Sequence, residues 1–251
     1  MANTVLIVLG MAGSGKTVFC HRLYSWLSEK NLRLNKDTGL NDAVFGANLD
    51  PASIATKMPL HYDIREHVSV ADLMEQKRLG PNGAILTALN LFVAQIDTFV
   101  KQIEEAAPTY TVIDTPGQIE MFTTSVSGQI LTKCLSGAPN TEVKLLYVLD
   151  GESAQNPQCF VSNMLFATSI FYRFKEPLLL IVNKSDIEGS QKIRAWTSDF
   201  SLFTDDLTTT DFITPTLRSM ALWTEEFYSA FKLYYVSSLT SSGKTELLAV
   251  L

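Results

Sequence analysis

Cysteine and charge are both sparse in this chain. Cys20, Cys134 and Cys159 lie far apart, and no C-x-x-C pair occurs. None of the three histidines, His21, His61 and His67, stands at metal-ligand spacing from them. Neither a disulfide framework nor a structural zinc site is therefore expected. Reduced thiols suit a cytosolic or nuclear compartment. Charged residues make up 18% of the chain and the net charge is −6, with Lys and Arg scattered. The clustered cations of a nucleic-acid footprint are missing, so no direct nucleic-acid partner is expected. Long hydrophobic runs are missing too. Val5–Leu9 has no basic residue before it and stops at Gly10, which is too short for a signal-peptide core or a membrane span. Ala2 stands where myristoylation needs glycine, and no terminal Cys-a-a-X box follows. No membrane partner is expected.

What the chain does have is apolar content, 46% over 251 residues, enough to fill a large α/β core. Short β-branched or Leu-rich runs cover Thr4–Leu9, Val44–Leu49, Thr109–Ile113, Lys144–Leu149, Leu178–Val182 and Leu233–Val236. Such continuous runs suit strands buried on both faces of a parallel sheet. Between them, helices are expected at Lys16–Lys30, Ala84–Ala107, Pro157–Phe174, Ser190–Leu207 and Pro215–Phe231. Ser69 is a candidate cap for a shorter helix ending before Gly80. The alternation predicts a mostly parallel sheet flanked by helices. No Gly/Ser/Pro-rich linker divides the chain, so a single domain over residues 1–251 is expected, with a helical insertion over about 55–108. The apolar pattern runs to Leu251 without a helix stop signal, and the sequence is expected to continue.

Directly after the first strand, Gly10-Met11-Ala12-Gly13-Ser14-Gly15-Lys16-Thr17 matches G-x-x-x-x-G-K-[ST]. In such a P-loop, Gly13, Ser14 and Gly15 curve backbone N–H groups around phosphate oxygens. Lys16 then reaches the β and γ phosphates, and the Thr17 hydroxyl ligates Mg²⁺. Asp114-Thr115-Pro116-Gly117-Gln118 follows the third run. An acid at a strand end beside a P-loop holds Mg²⁺ through water. Gly117 lets its N–H approach the γ-phosphate, and Gln118 sits where a water-positioning residue is needed. A second Gly-Lys-Thr at 243–245 lacks the leading glycine, since Ser238 occupies that place, and reads as a turn into the last helix.

Asn183-Lys184-Ser185-Asp186, after the fifth run, selects the base. Guanine offers N1–H and N2–H₂ side by side, and one carboxylate accepts both. Adenine presents an acceptor at N1, which Asp186 repels. Asn183 braces the loop and contacts the base edge, and the Lys184 stem covers its face. Ser237-Ser238, after the last strand, offers a backbone N–H to guanine O6.

This combination resembles the GPN-loop GTPases, in particular the branch linked to RNA polymerase II assembly and nuclear import. The resemblance covers nearly the whole chain and is carried by Gly80-Pro81-Asn82, Asn48-Leu49-Asp50-Pro51-Ala52, Tyr62-Asp63-Ile64-Arg65 and the Asp114–Glu120 segment. Asn156-Pro157, Ser162 to Leu165, the Asn183–Asp186 segment and Arg218-Ser219-Met220 add to it. Gly151-Glu152-Ser153 departs from the branch, and the branch's acidic or low-complexity tail is missing. The resemblance implies a homodimer, or a heterodimer with a related GPN-loop GTPase, with the tripeptide of one subunit reaching the other's phosphates. Asn82 then acts in trans. It also implies that Asp50 lies near Mg²⁺ and the attacking water, with Gln118 positioning that water and Glu120 behind it. The partners implied are RNA polymerase II subunits or assembly factors. Turn chemistry alone also explains Gly80-Pro81-Asn82-Gly83, and Asp63 with Arg65 also reads as a surface ion pair.

Two other functions compete: an ATP-using relative (a small-molecule kinase or metallochaperone) and a GTP-binding adaptor without hydrolysis. The aromatic stretch Cys159–Phe174, with Phe200, Phe203, Phe212, Trp223, Phe227 and Phe231, is expected to be mostly core. By the resemblance, a minority would line a groove for partner peptides.

Overall fold

The apolar run after Ala2 becomes the first strand, β1 (Asn3–Gly10), in the computed structural model, which describes residues 2–31, 33, 41–207, 219–220, 222–223, 225–227 and 231–251. The chain divides into two compact units, Met1–Leu146 and Tyr147–Leu251.

In the first unit, α1 (Lys16–Lys30) follows β1, and β2 (Val44–Asn48) and β3 (Tyr62–Asp63) come next. A 3-10 turn at Ile64–Glu66 then leads to α2 (Val70–Lys77), α3 (Pro81–Val93) and α4 (Ile96–Ala106). The unit continues through β4 (Tyr110–Asp114), α5 (Glu120–Thr123) and α6 (Val126–Ser136) into β5 (Thr141–Asp150). The second unit holds α7 (Pro157–Phe174), β6 (Leu178–Asn183), α8 (Gly189–Ser198), α9 (Phe200–Asp206), β7 (Leu233–Tyr235) and α10 (Lys244–Leu248). The seven strands form one all-parallel sheet in the order β3-β2-β4-β1-β5-β6-β7. Val44 to Asn48 pair with Tyr110 to Asp114, so the ends of β2 and β4 stop level with each other. That register brings the Asp50 and Gly117 turns out at the same end of the sheet.

Three expectations change. The helix read over Ala84–Ala107 is two helices, α3 and α4, bent by 61°. Gln95, with φ −119° and ψ 22°, leaves the helical region, and its N–H turns back to the Phe92 carbonyl at 3.0 Å. The apolar spacing carries across the break because both halves face one core. Phe92 and Phe99 meet edge to face at 5.3 Å, and both pack on Tyr62. The helix read over Ser190–Leu207 breaks at Asp199, whose carboxylate caps α9 by accepting the Ser201 N–H at 2.9 Å. The strand β3 lay hidden because two residues carry no periodicity. The helix read at Pro215–Phe231 falls largely outside the described residues.

Gly80-Pro81-Asn82 is the beginning of a helix. Gly80 is its N-cap and Pro81 its first residue, where the missing N–H costs nothing and the fixed φ suits the helix. Before it, Ser69 caps α2 as expected, accepting the Asp72 N–H at 3.2 Å. In the second unit, Phe160, Trp196 and Phe203 are buried against one another, whereas Tyr172 and Trp223 stand more than half exposed. Phe171, Tyr172, Trp223, Phe227 and Phe231 line an aromatic groove of about 340 Å³, and Phe212 lies outside the described residues. Among the described residues no single helix is long and apolar enough to cross a membrane.

Candidate functional site

The loop between β1 and α1 curls because two of its glycines take left-handed backbone. Gly13 and Gly15 both have φ 83°, which costs any other residue strain. Gly15 is also the N-cap of α1, so the loop delivers the N-terminal end of that helix, with its unpaired N–H groups, to whatever lies in the curl. Lys16 is only 5% exposed. Its Nζ donates to the carbonyls of Gly10 at 2.7 Å, Met11 at 2.9 Å and Gly117 at 3.1 Å. Burial lowers its pKa, with Asp114 leading the groups that oppose the shift. An ammonium held by three carbonyls, with a carboxylate nearby, is ready to exchange those partners for phosphate oxygens.

Asp114 closes β4 and is almost fully buried. Burial pushes its carboxyl up to about 6 and Asp50 adds to the rise, while hydrogen bonds from Thr17 and Cys20 and the charge of Lys16 oppose it. Its Oδ1 is buried without a hydrogen-bond partner. Beside it, the Thr115 hydroxyl donates to the Val8 carbonyl at 2.6 Å and ties the β4 exit to β1. Asp50 reaches the same region from the exit of β2, and its Oδ2 accepts the Gly117 N–H at 3.0 Å. Gln118 and Glu120 are exposed on either side of buried Ile119, and Glu120 opens α5. Gly80, Pro81 and Asn82 are exposed too. The hydrogen bonds that place Lys16 and Asp50 do not involve them.

In the second unit, Asn183 ends β6 and is buried, its Oδ1 accepting the Ser238 hydroxyl at 2.9 Å and the Ser238 N–H at 3.4 Å. The Ser237 N–H donates to Ser242 O at 3.1 Å. The Ser237 and Ser238 N–H groups, one of which the sequence offers to guanine O6, thus have protein partners here, and Ser238 braces Asn183. Lys184 has left-handed backbone, φ 58°, and its ammonium lies 3.0 Å from Asp150 Oδ1. The Ser185 N–H donates to Val236 O at 3.2 Å, and Asp186 stands exposed beyond that turn. The second Gly-Lys-Thr is a helix start, as expected. Gly243 has φ 78° and caps α10, and a Cβ there would meet the Tyr235 carbonyl at 2.0 Å.

Structure thus gathers Lys16, Thr17, Asp50, Asp114 and Gly117 in the first unit, and Asn183, Lys184 and Ser238 in the second. Sequence reading missed three partners. Cys20 lies three residues after Thr17 on the same face of α1, a spacing that marks it only once Asp114 is known to face that helix. Asp150 left no signal before the fold placed it beside Lys184. The third is the contact between Asn48 and Asp63, which needs the unforeseen β3.

Residues 8–251 match a family model described as conserved hypothetical ATP binding protein. GPN-loop GTPase 1 of Dictyostelium discoideum is 41% identical over 246 residues, covering 96% of this chain and 59% of that protein. GPN-loop GTPase 1 of Schizosaccharomyces pombe is 36% identical over 255 residues, covering 97% and 66%. This chain belongs to the GPN-loop GTPase family. It spans about three fifths to two thirds of the length of the curated family members it matches. The fold is similar to that of a GTPase in apo form from Pyrococcus abyssi, whose crystal structure superposes with a TM-score of 0.81 at 24% identity, covering 98% of this chain and 95% of that one.

Proposed function

We propose that this chain binds GTP together with Mg²⁺ and hydrolyses the bond to the terminal phosphate. The observation that carries the reading is the convergence of Lys16 Nζ, the Thr17 hydroxyl and buried Asp114 at one P-loop. These residues fit Mg²⁺. The donors are hard oxygens, and Asp114 Oδ1 is a buried acceptor with no protein partner. Thr17 would hold the ion directly, with Asp114 and Asp50 acting through water. When bound, the ion neutralises charge on the β and γ phosphate oxygens. Lys16 exchanges its carbonyl partners for those oxygens, while the Gly117 N–H stays with Asp50 Oδ2 and holds the turn before Gln118, rather than serving the γ-phosphate as its sequence position suggests. Gln118 holds the attacking water in line, with Asp50 and Glu120 next to it. Asp186 accepts N1–H and N2–H₂ of the base. The family description names ATP, but adenine would set its N1 lone pair against that carboxylate, which supports GTP.

The same resemblance supports dimerisation, with Asn82 serving the partner's site, and its exposed place at the start of α3 suits such a contact. It further supports a cytoplasmic factor, passing to the nucleus, in RNA polymerase II assembly and import. Retention of polymerase subunits by the chain with a GTP analogue, but not with GDP, is the corresponding observation. Its absence removes that role.

Phosphate release tests the chemistry. Hydrolysis of GTP and not ATP is expected, and Gln118→Ala should lose most turnover while keeping GTP affinity, because the water is positioned chiefly in the transition state. Equal hydrolysis of ATP sinks the GTP reading, and a Gln118→Ala enzyme at the normal rate moves the orienting of the water to another residue such as Asp50 or Glu120. Mixing tests the dimer. If Gln118→Ala and Asn82→Ala are each inactive, random co-assembly makes about half the dimers mixed, and one intact site in each restores about a quarter of all sites. No recovery despite confirmed subunit exchange removes the action in trans.

A further inference from the structure

Asp63 and Arg65 have no part in the chemistry above, yet they sit in a hydrogen-bond network too specific for a surface ion pair. Asn48, at the end of β2, is fully buried and stands opposite Asp63 of β3 in the parallel register. Its Nδ2 donates to Asp63 Oδ1 at 2.9 Å and lies 3.2 Å from the Ser53 hydroxyl, while its Oδ1 accepts the Asp50 N–H at 3.1 Å. Arg65 Nε lies 3.0 Å from both Asp63 oxygens, and its Nη2 also meets that carboxylate. Its Nη1 donates to the Ser53 carbonyl at 3.0 Å. The guanidinium thus ties the carboxylate to the turn that follows Asp50, an arrangement that needs a planar fork of donors. Burial alone would raise the Asp63 carboxyl, but hydrogen bonds from Arg65 and Asn48 outweigh it and hold the group below the usual carboxylate range.

The far end of this turn is Asp50. Its Oδ1 accepts the Ala52 N–H at 3.0 Å, and its Oδ2 accepts the Gly117 N–H at 3.0 Å. A continuous line of hydrogen bonds therefore runs from Asp63 through Arg65 and Ser53 to Asp50, and from there to the residue before Gln118. We propose that Asp63 and Arg65 are a positioning pair: through the Ser53 turn they set Asp50 against Gly117 and so aim the turn that presents Gln118. A partly exposed ion pair adds little to stability, whereas removing a partner that orients a reacting group costs roughly 10- to 100-fold in activity. The pair acts on rate more than on folding.

The inference rests on the GTPase reading, and the test separates the two. Arg65→Met keeps the side-chain volume and removes the donors, Arg65→Lys keeps the charge without the fork, and Asp63→Asn weakens the acceptor. For Arg65→Met, kcat with GTP should fall roughly 10- to 100-fold while KM moves by less than about threefold. In glycine-labelled protein, the Gly117 amide should exchange faster with solvent. Asp63→Asn combined with Arg65→Met should be no worse than Arg65→Met alone, since both break one line of contacts. Arg65→Lys should recover only part of the rate, and it gives the decisive readings if Arg65→Met does not fold. A normal kcat, a raised KM at unchanged kcat, or slowed turnover with full Gly117 protection overturns the pair's role. If the unaltered chain releases no phosphate from GTP, the GTPase reading fails, and Gly117 exchange still decides whether the pair holds the turn.

Discussion

Lys16→Ala lowers GTP affinity by roughly 10²- to 10⁴-fold, the loss expected from two charge-assisted hydrogen bonds of about 1.5–3 kcal/mol each to phosphate. The structure indicates why this loss leaves the fold intact. The ammonium is buried among the carbonyls of Gly10, Met11 and Gly117, and burial lowers its pKa, so the charged head is costly to the free protein. Alanine removes that cost together with the hydrogen bonds. The curl itself stays, because Gly13 and Gly15 set it by backbone conformation. Denaturant unfolding should therefore show a midpoint equal to the parent's or higher, while calorimetric titration shows the lost affinity. A GTP dissociation constant within about threefold of the parent's would mean that the phosphates do not lie against Lys16.

Asp186→Asn should weaken GTP by a comparable roughly 10²- to 10³-fold and favour xanthosine triphosphate, because unpaired polar groups are what reject a wrong base. Xanthine carries an oxygen in place of the guanine C2 amine, and an amide donor meets it. The change is local. Asn183 is braced by Ser238 and Lys184 by Asp150, and neither contact involves the exposed Asp186 carboxylate. The loop should keep its shape, and ATP should remain weak with both proteins. Titration of GTP, xanthosine triphosphate and ATP against parent and variant measures it. An unchanged preference for GTP would take Asp186 out of the base pocket and reopen the ATP-using alternative.

The Cys20 thiol shows what lies between the two levels. From sequence it is a lone cysteine in the helix expected over Lys16–Lys30. In the structure it is fully buried, and its burial together with Asp114 pushes its pKa well up, so it stays a protonated donor to that carboxylate. Only the parallel pairing of β1 with β4 brings the end of β4 to that face of α1.

What the sequence by itself determined was local in character. Runs of β-branched and leucine residues settled six strands to within a few residues, because a strand buried on both faces needs nothing else. The helices Lys16–Lys30 and Pro157–Phe174 came out with their observed ends, since each begins at a strong start signal, the P-loop and an Asn-Pro pair. The P-loop, the Asp114 turn and the Asn183 turn were legible because their chemistry lies in residue type and short spacing. Tertiary structure decided the rest. The break at Gln95 serves packing of Phe92 and Phe99 on Tyr62, a contact across distant segments that no local period records. It decided that Gly80-Pro81-Asn82 begins a helix, since turn chemistry and helix starts use the same residues. And it decided where Asp50 points, because a carboxylate leaving one strand meets the Gly117 N–H leaving another only when the strands are in register.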